Sequence, residues 1–163
     1  KLYDTAVEFG DFRKSDNVLD LYCGTGSISI YISELVNKVK GVELIDESIV
    51  SARENALLND IDNVDFETLD IKEFLLNFKE PGYNKVLVDP PRSGLHPDIC
   101  EVLSDSDFEK IIYVSCNPVT QARDLSTIMN KGKYKIGRIQ HVDMFPQTYH
   151  IENVVEVIRI GTQ

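Results

Sequence analysis

Apolar residues in this chain alternate between short continuous runs and longer stretches in which they recur every three or four positions. Continuous runs of Val, Ile and Leu are typical of strands buried on both faces, and the wider spacing is typical of helices that cover them. Strands are predicted at 17–22, 39–44, 63–69, 84–89, 110–115, 134–145 and 152–160. The pattern predicts an α/β fold with a doubly wound, mostly parallel seven-stranded sheet.

The predicted helices between the early strands each have one apolar face. The faces are formed by Ile28, Ile32 and Leu35 in the segment 26–36, and by Ile49, Ala52, Ala56 and Leu57 in the segment 46–60. Asp46 is of a residue type that favours N-cap positions, so we expect it to cap the second helix. The last two runs have no helical segment between them, which predicts a closing antiparallel hairpin.

The length and composition are those of one globular domain. A chain of 163 residues can bury a substantial core, and no internal repeat or Pro/Gly-rich linker divides it, so we expect one domain over 1–163. The start at Lys1 suggests a piece of a longer protein. We see no membrane span or secretory signal, and expect a cytoplasmic protein, monomeric by default. Three cysteines without a CxxC pair and three histidines outside any metal-binding pattern predict neither disulfides nor a metal site.

Acidic and basic residues are unevenly distributed along the chain. The net charge of −10 at pH 7 argues against nucleic acid as a partner. However, residues 41–80 contain eleven acids and three basic residues, whereas residues 110–140 contain six basic residues and a single acid, Asp124. Two interpretations stay open: a basic surface formed by the second stretch, or two solvated faces of opposite charge.

The segment VLDLYCGTGSISI runs from a predicted strand through a glycine loop into a helix. Gly24 and Gly26 let a ligand approach the backbone, and Glu43 ends the second strand, where an acid can bind ribose hydroxyls. A dinucleotide fingerprint needs a third glycine where this chain has Ser29, whereas Asp20 suits an ammonium group. S-adenosylmethionine (SAM) has both a ribose diol and an ammonium, so the loop favours SAM over NAD. A tight turn without a ligand stays open as an alternative.

Asp70 follows the third predicted strand. An acid at this place commonly contacts adenine in this architecture. A helix N-cap for the segment IKEFLLNF is an equally simple role, and the two roles are compatible.

The segment VLVDPPRSGL ends the fourth strand with Asp89, Pro90, Pro91 and Arg92. Two successive prolines fix an extended turn that lacks N–H donors, so Asp89 is predicted to be held rigidly at the carboxyl edge of the sheet. Amino-methylating enzymes have an aromatic residue after a similar element. Because this chain has Arg92 there, that chemistry is disfavoured.

Cys116 lies between the fifth predicted strand and a helix that Asn117 can cap and Pro118 can begin. A helix N-terminus favours a thiolate by only about 0.3–1 kcal/mol. Thiolate formation therefore needs a further cation, for which Arg92 is the candidate, or a proton acceptor on the substrate. Taken alone, a cysteine at a strand end is more often core than nucleophile. The other two, Cys23 beneath the glycine loop and Cys100 in a helical pattern, are expected to be buried.

Five segments together resemble the RNA 5-methyluridine methyltransferases, which are SAM-dependent enzymes of the uracil-C5 type. The segments are VLDLYCGTGSISI, GVELIDESIVSARENALLN, VLVDPPRSGL, YVSCNPVTQARDL and DMFPQTYHIENVVEV. The resemblance covers essentially the whole chain, and its SCNP and FPxTxHxE elements are far more specific than the glycine loop. It implies a class I methyltransferase fold. It also implies that the substrate is a flipped or single-stranded uridine of tRNA or rRNA.

The resemblance also implies roles for individual residues. It makes Cys116 the nucleophile and Glu152 the general base, while Glu156, further along the same strand face, is expected to be a surface acid. The implied SAM contacts are Tyr22, Ser27, Glu43 and Asp70, to which the glycine loop adds Asp20, Gly24 and Gly26. Asp89 would lie between cofactor and uracil, and Asp89 and Arg92 are assigned to the substrate side.

The family usually has an RNA-binding domain and a central domain before this one, and a glutamine-bearing SAM motif upstream. The chain therefore looks like the catalytic domain alone. Two alternatives stay open: a methyltransferase for a protein or small molecule without covalent catalysis, and a SAM-binding module without activity.

Overall fold

Seven strands form one sheet in the computed structural model, which describes residues 1–78, 82–144, 147–148 and 151–161. They are β1 (Asn17–Leu21), β2 (Lys38–Glu43), β3 (Val64–Thr68), β4 (Lys85–Val88), β5 (Lys110–Ser115), β6 (Tyr134–Val142) and β7 (Glu152–Arg159). Their spatial order is β3-β2-β1-β4-β5-β7-β6. The first five strands are parallel, and β7 pairs antiparallel with both β5 and β6. The predicted α/β sheet and its closing antiparallel hairpin are confirmed.

Six helices cover the sheet within the described part of the chain. They are α1 (Leu2–Gly10), α2 (Ser27–Ser33), α3 (Asp46–Leu58), α4 (Ile71–Asn77), α5 (Pro97–Asp105) and α6 (Pro118–Ile128). One core lies between the sheet and α4, α5 and α6, and a second lies under α1 and α2, with a smaller cluster of α3 around Phe66. None of these helices is long and apolar enough to cross a membrane.

Two predicted apolar faces are narrower than the periodicity suggested. Ile28, Ile32, Ile49, Ala52 and Ala56 are buried as predicted. Leu35 is exposed because α2 ends at Ser33, before the periodicity reaches it. Leu57 is also exposed, because only a narrow stripe of α3 packs against the sheet.

The predicted N-cap of α3 is wrong by one position. Ile45 occupies the N-cap, and Asp46 is the first helical residue. The Asp46 carboxylate accepts a hydrogen bond from Thr68 Oγ1 (2.8 Å) instead of capping a backbone N–H. The backbone N–H groups of Ser48 and Ile49, which an N-cap at Asp46 would reach, bond instead to the carbonyl of Ile45 (3.1 and 3.2 Å).

Glu156 is buried, which corrects its assignment as a surface acid. Its carboxylate pairs with Lys110 Nζ (2.8 Å) on β5 and with Arg138 Nε (2.9 Å) on β6. Burial alone would raise the pKa of Glu156, but hydrogen bonds from the two cations outweigh it and hold the pKa below its ordinary value. The partners come from two other strands, so the spacing within β7 could not show them.

Three cations hold the C-terminal end of α1 against the sheet. Lys110 Nζ donates to the carbonyl of Phe9 (2.9 Å), Lys85 Nζ to that of Asp11 (2.6 Å) and Arg138 to that of Glu8 (3.0 Å). Cations are stabilising at a helix C-terminus, where carbonyls lack partners. The contacts fix the helix that brings Tyr3 to the site described next.

Candidate active site

The predicted site residues lie along the carboxyl edge of the parallel strands. Leu21 of β1 pairs with Val42 of β2 on one side and with Val88 of β4 on the other, so the segments that follow these strands leave the sheet side by side. β5 ends next to β4 at the same edge, where the antiparallel β7 begins. The topology brings the glycine loop, the Asp-Pro-Pro turn, Cys116 and Glu152 to one edge.

The glycine loop needs its glycines for two different reasons. Gly24 and Gly26 both have positive φ angles, of 52° and 78°, which favour glycine. A Cβ on Gly26 would lie 2.6 Å from the Phe66 ring, whereas one on Gly24 would meet nothing within 4 Å. Gly26 therefore allows the loop to pack on β3, and Gly24 leaves the outer side of the loop open to a ligand.

Glu43 holds the glycine loop in place. Its carboxylate accepts hydrogen bonds from the backbone N–H groups of Gly24 (3.2 Å), Leu44 (2.8 Å) and Ile45 (3.1 Å). A carboxylate has about four acceptor positions, so these bonds leave capacity for a ribose hydroxyl. The structure adds a supporting role for Glu43, and its predicted ribose contact stays a prediction.

Asp20 is a buried carboxyl group beside the loop. Ser29, the residue that replaces the third glycine of a dinucleotide fingerprint, donates its hydroxyl to Asp20 (2.5 Å). Burial, only partly offset by this hydrogen bond, raises the pKa of Asp20 to about 7, and the nearby charges of Asp89 and Glu43 add to the rise. A cation placed next to Asp20 would reverse this effect, since it favours the ionised form.

A cavity of about 200 Å³ lies against the loop. It is lined by Tyr3, Asp20, Tyr22, Cys23, Gly24, Thr25, Ser27, Ile28 and Asp89. Five predicted cofactor residues, Asp20, Tyr22, Gly24, Ser27 and Asp89, are therefore brought together, whereas Gly26, Glu43 and Asp70 are not among the lining residues. A buried carboxyl group, an open glycine face and a hydroxyl match the ammonium and polar groups of SAM.

Tyr22 lines this cavity, whereas Asp70 is not among the lining residues. Burial raises the pKa of Tyr22 to about 12, and the charge of Asp70 contributes to the rise, so the two residues are close enough to interact. Asp70 caps α4 by accepting a hydrogen bond from the backbone N–H of Glu73 (2.9 Å). The predicted capping role of Asp70 is confirmed, and its adenine contact stays a prediction.

Asp89 connects the cavity with the β5–β7 side of the edge. It lines the cavity, and burial raises its pKa to about 7, with a further contribution from the negative charge of Glu152. Arg92 is exposed, and its backbone carbonyl accepts hydrogen bonds from Asn117 Nδ2 (3.0 Å) and Thr120 Oγ1 (3.2 Å) at the start of α6. The Asp-Pro-Pro turn is thus tied to the segment that follows Cys116.

Cys116 lies in a tight turn at the end of β5. Ser115 Oγ accepts a hydrogen bond from the backbone N–H of Asn117 (3.0 Å), and Asn117 caps α6 through the N–H of Val119 (3.1 Å). Cys116 is partly exposed, whereas Cys23 and Cys100 are buried as predicted. The side chain is therefore held on a fixed backbone and remains accessible.

The strand register places Cys116 and Glu152 close together. In the antiparallel pair of β5 and β7, Ser115 is the partner of Asn153. Cys116 directly follows the last paired residue of β5 and Glu152 directly precedes its partner on β7, so both lie at the same end of this strand pair. The two residues are 36 positions apart in sequence.

A family model and several proteins of known sequence or structure match this chain. The model described as tRNA (uracil-5-)-methyltransferase matches residues 1–160. The chain belongs to this family. Its sequence is 45% identical to an RNA methyltransferase of Caldanaerobacter subterraneus over 154 residues (94% of the chain) and 41% identical to one of Porphyromonas gingivalis over 162 residues (98%). The matches cover 34% and 35% of those two proteins, so the chain spans about a third of their length.

Two solved structures are similar to this chain. The tRNA (uracil-54, C5)-methyltransferase of Pyrococcus abyssi, solved in complex with S-adenosyl-L-homocysteine, matches with a TM-score of 0.81 and 33% identity, covering 96% of this chain and 38% of that one. A dimethyladenosine transferase of Plasmodium falciparum has a TM-score of 0.72 and 16% identity over 97% of this chain and 61% of its own. The second match shows the fold alone, which is that of class I methyltransferases.

For this member of the uracil-5-methyltransferase family, sequence reasoning missed a buried carboxylate behind the edge. Asp124 accepts hydrogen bonds from the hydroxyl of Tyr113 (2.7 Å) and the backbone N–H of Leu95 (2.7 Å). Arg123 binds the same carboxylate and donates to the carbonyl of Ser93 (2.9 Å). These contacts fasten the loop after the Asp-Pro-Pro turn to β5 and α6. The one sequence signal for this role was that Asp124 is the single acid among the basic residues of 110–140.

The basic stretch 110–140 is matched by acidic side chains of the same domain, mostly in pairs at the surface. Five of its six cations form ion pairs with acidic side chains: Lys110, Arg123, Lys131, Lys133 and Arg138. Two of the acidic partners, Asp105 and Asp107, follow or end α5. The uneven charge distribution along the sequence is therefore mainly a consequence of internal pairing, and gives little support to a separate basic surface.

Proposed function

We propose that this chain is the catalytic domain of a SAM-dependent methyltransferase that methylates carbon 5 of a uridine in tRNA or rRNA. Membership of the uracil-5-methyltransferase family supports the reaction class. The observation that supports the assignment of residues is the last pair of β5 and β7, Ser115 and Asn153. Cys116 directly follows the first of these residues and Glu152 directly precedes the second, and the charge of Glu152 acts on Asp89.

Cys116 and Glu152 supply complementary halves of this chemistry. Carbon 5 of uracil is a weak nucleophile, so the Cys116 thiolate adds to carbon 6 and its electron pair creates an enolate that makes carbon 5 nucleophilic. SAM, when bound, supplies the electrophilic sulfonium methyl group. Glu152 then removes the proton from carbon 5, and the electrons left behind restore the C5–C6 double bond and expel the Cys116 thiolate.

The cavity residues bind the cofactor in this proposal. The buried carboxyl of Asp20 faces its ammonium, Gly24 and Ser27 line the loop side, and Tyr22, Glu43 and Asp70 contact its nucleoside. Asp89 separates the cofactor from the uracil, which must leave its base stack to reach the edge. Arg92, on the turn tied to the residues after Cys116, contacts the RNA.

A mechanism-based substrate tests the proposal. Full-length protein incubated with SAM and RNA containing 5-fluorouridine is expected to form a stable covalent adduct, because fluorine cannot leave carbon 5 as a proton does. Mass spectrometry of the digested complex should place the RNA on Cys116. The Cys100→Ala variant, which removes a buried thiol elsewhere, is the control and should form the same adduct.

The other results of this experiment are equally informative. Methyl transfer without any adduct would contradict covalent catalysis and favour an enzyme for a different kind of substrate. SAM binding without turnover on any RNA would favour a binding module. An adduct at Cys23 or Cys100 would refute the assignment of the nucleophile.

The affinity for SAM is expected to fall as the pH drops below about 7. Asp20 has a pKa raised to about 7, and the acids that face it are Asp89 and Glu43. Below that pH the carboxyl is neutral, so binding a cation requires loss of a proton and affinity falls by up to about tenfold per pH unit. Isothermal titration calorimetry between about pH 5.5 and 7.5 measures this dependence and the proton released.

The Asp20→Asn variant is the control for the pH dependence. It keeps the size of the side chain and cannot titrate, so it is expected to bind SAM more weakly and with a flatter pH profile. The same linkage predicts that the free protein loses stability as the pH rises from about 4 to about 7, because the unfolded chain releases the Asp20 proton over this range while the buried carboxyl of the folded protein retains it. Constant wild-type affinity across this range would contradict the assignment of Asp20.

A further inference from the structure

Two buried amide side chains join α6 to the β5–β7 pair. Asn153 Nδ2 donates a hydrogen bond to Gln121 Oε1 (2.5 Å). Gln121 Nε2 in turn donates to the backbone carbonyls of Tyr113 (2.9 Å) and Asn153 (3.3 Å). Only 1% of Gln121 and 5% of Asn153 is exposed. We call these two residues the amide clamp.

The amide clamp lies next to both proposed reacting residues. Asn153 directly follows Glu152, and Gln121 is five residues after Cys116 in the helix that begins at Pro118. Asn153 is also the strand partner of Ser115, which precedes Cys116. The clamp therefore acts at the last paired position of β5 and β7, directly beside Cys116 and Glu152.

Strand ends open more easily than strand centres, because fewer contacts hold them. A hydrogen bond between buried amides resists this opening, since its electrostatic attraction is stronger in surroundings of low polarity than in water. Through it, Gln121 links the first residues of β7 to α6 and to the backbone of β5. Loosening the clamp would let Glu152 move relative to a uracil that is held by Cys116.

The clamp is not explained by stability alone. Burying an amide is costly unless its polar atoms are bonded, and Asn153 Oδ1 is buried without a hydrogen-bond partner in the described structure. An apolar pair of similar size would avoid that cost. What such a pair would lose is the directional link between α6 and the start of β7.

We propose that Gln121 and Asn153 are positioning residues that hold Glu152 in place for removal of the carbon 5 proton. The proposal rests on the proposed uracil-C5 methylation and adds to it the residues on which the last proton transfer depends. Neither amide lines the cofactor cavity, so the proposal assigns the clamp to the proton step and not to SAM binding.

The Gln121→Met variant tests the proposal, because methionine has nearly the same shape and makes none of the clamp's hydrogen bonds. In the full-length protein we expect kcat to fall by about 10–100-fold, the loss typical of a misplacement near 1 Å. KM for RNA and Kd for SAM should change less than about twofold. The kinetic isotope effect from deuterium at uracil carbon 5 should rise, and a covalent adduct should accumulate on ordinary uridine RNA.

Two further variants separate positioning from general destabilisation. Asn63 Nδ2 bonds the carbonyl of Ser33 (2.9 Å) on the other side of the domain, so Asn63→Ala removes a comparable side-chain bond far from the site. It should lower the melting temperature without changing the isotope effect. The double variant Gln121→Asn, Asn153→Gln exchanges the two amides, and should return the isotope effect toward the wild-type value.

The results distinguish this proposal from the one on which it rests. If the wild-type protein methylates uridine through Cys116 but Gln121→Met keeps its kcat and isotope effect, the clamp proposal is overturned and the proposed function stands. A reduced kcat with a wild-type isotope effect also overturns it. If Gln121→Met does not fold, Asn153→Ala is measured by the same criteria. If the wild-type protein releases no carbon 5 hydrogen from any uridine RNA, both proposals fail.

Discussion

The Cys116→Ser variant is expected to lose uridine methylation by a factor on the order of 10⁴ or more, because a serine hydroxyl is too weak a nucleophile to add to carbon 6 of uracil. Serine keeps the size and polarity of the side chain, and the turn around this position is made by Ser115 and Asn117. The fold and the affinity for SAM should therefore be unchanged. Release of tritium from carbon 5 of labelled RNA measures the loss, and the 5-fluorouridine adduct should disappear.

The Cys100→Ala variant is the control that shows whether the loss of activity depends on the Cys116 thiol in particular. Cys100 is buried on α5 and packs in the core, so its loss should lower stability and leave the rate of methylation close to that of the wild type. Methylation by Cys116→Ser within about tenfold of the wild-type rate would refute covalent catalysis, since a covalent route could not depend so little on its nucleophile.

The local patterns of the sequence were enough to predict the sheet, the glycine loop and the edge at which the site lies. Runs of Val, Ile and Leu identified the strands because burial on both faces leaves few other residue types. Gly26 was recognisable because the loop requires a positive φ angle. In contrast, Cys116 looked ordinary by itself, and only its resemblance to a family motif distinguished it from a core cysteine.

Contacts between distant side chains could not be predicted in this way. Gln121 and Asn153 are 32 residues apart, and the periodicity of each element shows which face is buried but not which partner it meets. Glu156 was misplaced for the same reason, since its cations come from β5 and β6. Tyr3 lines the cavity beside the glycine loop, and three cations of the sheet hold the other end of its helix, α1.

Glu152 and Glu156 differ in what their removal is expected to change, although both lie on β7. Glu152→Gln cannot accept the carbon 5 proton, so turnover should fall by about 10²–10⁴-fold while the addition of Cys116 to uracil continues. Glu156→Gln weakens a buried pair with Lys110 and Arg138, and should lower the melting temperature by roughly 5 °C or more. Denaturing gels of protein with ordinary uridine RNA should then show an accumulated adduct for Glu152→Gln alone.

The order of the chemical steps determines which covalent species accumulates in Glu152→Gln. When Glu152 is replaced, the methylated uracil cannot lose its proton and Cys116 cannot be expelled, so the protein stays bound to RNA after methyl transfer. Analysis of the trapped RNA should find the new methyl group and the original carbon 5 hydrogen on the same carbon. A trapped uracil without the methyl group would place Glu152 at an earlier step. Normal turnover in Glu152→Gln would assign proton removal to another group. Asp89 is then the candidate, because its pKa of about 7 reflects the charge of Glu152 and the two residues therefore interact.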